Sequence, residues 1–157
     1  MTRNRFLGGV ATVAAVVGVL FATAAAASAP LHGTGLSTLV SSSPPSSVRE
    51  ADGNTIIEQD DVRSDVGAFT GTVYEHQRLV IHPDGHINTH ADATIVGTYA
   101  GCTGTVTQDL QLEGQISAAG VITANFTTTQ NPAVNVHGTV SGTTASNTVT
   151  FTIDYHC

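Results

Sequence analysis

A turn that fixes the pairing of two strands limits a chain more than any bulk composition, and Arg78–Asp92, RLVIHPDGHINTHAD, contains one. Pro83 presets the φ that a type I turn wants, Asp84 follows, and Gly85 stands where the chain must turn left-handed. That is a three-residue hairpin loop closed by a G1 bulge, with His82 facing His86. Counting back from this pair sets Ile81 against Ile87 and Leu79 against Thr89 on one face. Val80 then meets Asn88, Arg78 meets His90 and His76 meets Asp92 on the other. A two-residue Asp-Gly loop would mix apolar and polar positions on both faces. A one-residue slip moves every side chain to the opposite face, so the clean segregation selects the bulged loop.

The same rule recurs downstream. Ser117-Ala118-Ala119-Gly120-Val121 repeats the Ile-x-x-x-Gly-x-Ile spacing and pairs Ile116 with Ile122, Gly114 with Ala124 and Leu112 with Phe126. Alternating runs predict strands over 68–82, 86–99, 104–117, 121–129, 133–141 and 147–156, with an edge strand at 54–59. No segment of this region has a helical period. The fold class is therefore all-β: an antiparallel up-and-down meander forming a small closed or half-open barrel, with a two-sheet sandwich as the alternative.

Ahead of this domain, residues 1–29 read as an export signal, with Arg3 and Arg5 before a long uncharged run and small residues around Ala27. The run is also long enough for an uncleaved anchor, at about 20 residues. Residues 30–53, centred on Ser41-Ser42-Ser43-Pro44-Pro45-Ser46-Ser47, are poor in large apolar side chains and are expected to be a flexible linker. Glu58–Asp65, EQDDVRSD, reads as a solvated acidic turn leading into the domain at 54–157.

From Pro30 onward three arginines oppose twelve carboxylates, a net charge of −9, and the chain has no lysine. Such a surface repels phosphate backbones and anionic lipid, which excludes nucleic acid as a partner. No membrane insertion is expected once the signal is removed. The lack of lysine beside abundant Ala, Gly, Thr and Val points to a high-GC bacterial source. Cys102 and Cys157 are the only cysteines, and in an exported protein an even count reads as a disulfide.

Chemistry has two places to sit. The outer face of the hairpin gathers His76, His82, His86, His90 and Asp92 as candidate metal ligands, of which two His and a carboxylate match non-haem iron donors. They are strung along the face, however: His90 lies four residues from His86, about 13 Å at about 3.3 Å per residue. Arg78, opposite His90, opposes a cation. Solvated polar residues are the bland alternative. On the inner face, unbroken register turns Glu75 and Gln77 inward, joined by Tyr99, Gln108 and Tyr155. A few polar groups among apolar ones is the usual lining of a small-molecule pocket. Glu75, with its pKa raised, is the weak candidate for a catalytic acid or base.

No Gly-x-Ser-x-Gly elbow, phosphate loop or HExxH motif occurs, and no cofactor is expected. The leading expectation is a secreted, non-enzymatic small-molecule-binding barrel for a small apolar ligand. One alternative is an extracellular interaction module that meets another protein through a pH- or metal-responsive histidine face. The other is a small isomerase- or cyclase-like barrel enzyme using Glu75.

Overall fold

The computed structural model describes residues 29–129 and 132–157, and these are all strand and turn. Nine strands run β1 (Leu31–Ser42), β2 (Ser47–Ala51), β3 (Asn54–Gly67), β4 (Phe69–Ile81), β5 (Ile87–Tyr99), β6 (Val106–Ile116), β7 (Val121–Thr128), β8 (Asn135–Thr143) and β9 (Thr148–His156). Each pairs antiparallel with its sequence neighbour from β2 to β9, and β1 then joins β9 to β3. Eight strands thus close into a barrel, with β2 added on the edge of β3. The barrel holds and the sandwich does not. Residues 1–28, where the export signal is expected, lie outside the described residues.

The hairpin arithmetic is met at every pair. Ile81 stands opposite Ile87, Leu79 opposite Thr89, Arg78 opposite His90 and His76 opposite Asp92. The His82 amide donates to the His86 carbonyl at 2.8 Å, and Gly85 sits at φ 83°. The β6–β7 turn repeats it, with Ile116 opposite Ile122 and Gly120 at φ 79°.

Two expectations need correction. Residues 30–53 are not a tether: β1 supplies the stave that closes the barrel, and β2 continues along the same edge of β3. Pro44 and Pro45 separate them, because proline has no N–H to give the ladder. The absence of large side chains is itself structural here. A Cβ at Gly35 would run into the Phe151 ring and the Val66 carbonyl oxygen, so this stave carries small residues where it crosses the aromatic core. Ordering entropy is offset by two full ladders rather than by side-chain burial. The turn into β3 is Asp52-Gly53, both at positive φ, the two-residue hairpin that this dipeptide favours.

The acidic patch is likewise not a turn. β3 continues through it to Gly67, and the strand's parity sends Gln59, Asp61, Arg63 and Asp65 to the inner face, where Asp61 is only 5% exposed.

The two ends of the barrel differ. At one end Phe69, Tyr99, Val106, Val134, Val136, Ile153 and Tyr155 form a buried plug. Tyr99 packs against Phe69 and Tyr155 with ring centroids 4.9 and 5.3 Å apart, and the Tyr155 hydroxyl donates to the Ala100 carbonyl at 2.7 Å. The expected disulfide, Cys102–Cys157, spans this end with Cα atoms 5.6 Å apart and ties the loop after β5 to the end of β9. At the other end the hairpin turns meet, and Leu79, Ile81, Ile87, Ile116 and Ile122 are only half-buried.

Candidate functional site: the barrel interior

The space between these ends follows from the sizes of the inward residues. On β5 the positions opposite Glu75 and Gln77 are Ala93 and Ala91, and further round the wall come Gly114, Ala124 and Gly138. Small residues in consecutive staves leave a void, a partly open pocket of about 170 Å³ in the interior, lined mainly by Val73, Ile95, Leu110, Leu112, Phe126 and Phe151. An engineered apolar cavity of about 150 Å³ admits benzene, which sets the scale of a guest.

One wall of the cavity is polar. Ser37 from β1, Arg63 and Asp65 from β3, and Glu75 and Gln77 from β4 face it, and Asp61 stands opposite Glu75 in the β3–β4 ladder. The Gln77 side-chain amide donates to Asp61 Oδ2 at 2.6 Å and to Glu75 Oε2 at 3.1 Å, while Gln59 reaches Asp61 Oδ1 at 3.3 Å. Arg63 is held on β1, its Nε donating to Ser37 Oγ at 2.9 Å and its Nη2 to the Ser37 carbonyl at 3.2 Å. Asp65 Oδ1 is buried with no hydrogen-bond partner.

Electrostatics follow the geometry. Burial pushes the Glu75 carboxyl up from 4.5 to about 7; Asp61 and Asp65 push the same way, against the pull of Arg63 and Gln77. Burial also raises Asp65, with Ser37 and Arg63 opposing. Glu75 is thus a carboxyl that changes charge near neutrality inside an apolar chamber.

Glu75, Gln77 and Tyr99 line the cavity as the alternation predicts, and the β4–β5 register runs without a bulge from Phe69 to Ile81. Gln108 and Tyr155 do not line it. Gln108 donates to the Tyr99 hydroxyl and the Val134 carbonyl, both at 3.1 Å, and accepts from the Val134 amide at 3.0 Å; it staples the plug. Burial holds the Tyr99 phenol well above its ordinary range, so it stays protonated. Asp61, Arg63, Asp65 and Ser37 escaped the sequence reading, although the alternation of positions 59, 61, 63 and 65 is the same signal that placed Glu75.

The histidines on the outer face do not assemble a metal centre. His76 bonds Asp60 at 2.7 Å rather than Asp92, and His90 bonds Glu113 at 2.6 Å with Asp92 at 3.6 Å. His82 and His86 are bridged by the Asn88 side chain, 3.0 Å from each. Among the described residues no three His, Cys, Asp or Glu side chains are grouped to hold a metal ion. Each imidazole has found a partner beside it on the sheet, which is where a wet β-face sends its side chains. The Glu113 hydrogen bond raises the His90 pKa. A wider open depression beside His90, lined by Arg78, Val80, Glu113 and Asn125 among others, is a solvent-facing surface of mixed polar and apolar character.

Compared with known proteins, the sequence matches no family model and no curated protein shows significant similarity to it.

Proposed function

We propose that the protein is a secreted, non-enzymatic barrel that holds one small, mainly apolar molecule in its interior, with the polar group of that molecule against the Arg63–Glu75 wall. The observation that carries this reading is the void itself, apolar on most sides and polar on one, the usual composition of a ligand site. The Cys102–Cys157 disulfide is consistent with a compartment outside the cytoplasm, as the export signal expected in residues 1–29 requires.

The test is a thermal-shift and NMR titration of the protein with toluene and benzyl alcohol, repeated on Ala93→Leu, which fills the void. Binding should raise the melting temperature, since a ligand at a hundred times its Kd adds about 2.7 kcal/mol of stability. Ala93→Leu, folded by its NMR spectrum, should lose the response. Absence of any shift in the parent, or an undiminished shift in the filled variant, retires the proposal.

Glu75 favours a second reading. A buried carboxyl that titrates at about 7 suits general acid–base work near neutrality, as in an isomerase- or cyclase-like barrel. Turnover lost in Glu75→Gln with ligand affinity retained would identify it. The histidine face supports an interaction module less well, because His76 and His90 are already bonded to Asp60 and Glu113.

A further inference from the structure

We propose that the molecule held in the barrel is a small protonated amine, a single ring or short alkyl group whose ammonium sits against Glu75. This inference rests on the binding reading above and names the ligand class of the same cavity. It follows from a count of donors and charges on the polar wall.

Three carboxylates, Asp61, Asp65 and Glu75, stand there against one guanidinium, Arg63. Arg63 spends its Nε and Nη2 on Ser37, and no ion pair joins it to any of the three among the described residues. Donors are short as well. Among the described residues only Gln77 donates to Glu75, through an amide it shares with Asp61, and Asp65 has the Ser37 hydroxyl beside it but an Oδ1 without a partner. An ammonium carries three N–H donors, one positive charge and no acceptor, which is what this wall lacks. A carboxylate or phosphate ligand would instead meet acceptors and like charge, Glu75 adding to it above neutrality.

Two further features agree. Ala91 and Ala93 keep the space beside Glu75 and Gln77 open, so a group attached to a ring can reach the carboxyl. The strongly acidic chain, with no lysine, attracts cations to its surface and repels anions. The groups facing Glu75 are Asp61, Arg63 and Asp65 from β3 and the neutral Ala93 from β5, so the one cation among them is Arg63, which is held on Ser37. Burial raises the Glu75 pKa to about 7, and an ammonium arriving beside it displaces that proton. Amine binding therefore strengthens as the pH rises through neutrality.

The experiment is a calorimetric titration of the protein with benzylamine, benzyl alcohol and toluene at pH 8 and pH 5.5. Benzylamine is expected to bind at least tenfold more tightly than benzyl alcohol at pH 8, with the preference shrinking at least tenfold at pH 5.5. Glu75→Gln should bring benzylamine down to the level of benzyl alcohol, with toluene, which has no polar group, still bound. Benzyl alcohol binding as tightly as benzylamine at pH 8, or an amine preference that survives in Glu75→Gln, overturns the amine assignment and leaves the apolar site standing. Failure of all three probes overturns both.

Discussion

Glu75→Gln at varied pH is the sharpest test of the interior. The carboxyl titrates at about 7 in the folded barrel against 4.5 when unperturbed, because burial penalises its charged form. Folding therefore favours the protonated group. Its contribution is fully present below pH 4.5 and is lost as the pH climbs through 7. At about 1.4 kcal/mol for each pH unit of displacement, the loss amounts to about 3 kcal/mol by pH 8.5. Urea unfolding followed from pH 4 to 8.5 measures it, and with m of about 1–3 kcal/mol/M the midpoint should fall by about 1–3 M. Asp65 and His90, both raised in the fold, add losses of the same sign. The amide of the Glu75→Gln variant has no proton to lose, so subtracting the variant's curve from the parent's isolates Glu75. The two proteins should be similar at pH 4, and the variant should be more stable at pH 8.5. Parallel curves across the range, or a variant less stable at high pH, refute the buried-carboxyl account.

Four other outcomes follow from the fold. Reducing Cys102–Cys157, or replacing both by Ser, should cost about 4 kcal/mol in the chain-entropy model for a sequence separation of 55, read from urea midpoints with and without reductant. Gly35→Ala should destabilise by at least about 2 kcal/mol, because its Cβ has no room beside Phe151, and deletion of residues 31–53 should abolish the cooperative transition; a tether would permit both. Gly85→Ala should cost about 1 kcal/mol for a Cβ at φ 83° without altering ligand binding, checked by the same melts and titrations.

What could be read in advance was decided by where the information lay. The β4–β5 and β6–β7 hairpins were legible because Pro83-Asp84-Gly85 and Gly120 fix register locally, and register then turns Glu75 inward by parity alone. β1 was opaque because the property that makes it a stave, small residues against Phe151, is defined by a strand more than a hundred residues away. β3 misled for a related reason. Asp61, Arg63 and Asp65 are charged at alternate positions, and charge at such density normally marks solvent, so their inward face is visible only once the barrel closes on both sides of the strand. The histidines showed the converse. Their shared face was legible, but their pairing with Asp60 and Glu113 depends on neighbours that the hairpin alone does not specify.

The interior also bears on function through its cost. A void of 170 Å³, at about 24 cal/mol per Å³, forgoes at most about 4 kcal/mol relative to a filled core. Glu75 forgoes about 3 kcal/mol more when it ionises. Both fall at one place, and together they rival the whole stability of an ordinary domain, about 5–15 kcal/mol. Larger residues at 91 and 93 and an apolar one at 75 would remove both terms without disturbing a single ladder bond, since side chains alone are involved. The opposite end shows that this chain can pack tightly, with Val106, Val134 and Tyr155 no more than 8% exposed behind a disulfide. Loose packing confined to the chamber that Glu75 and Asp65 face is therefore local in origin. A guest that filled the void and supplied a donor to Glu75 would recover both losses at once, which is the energetic case for the proposed ligand.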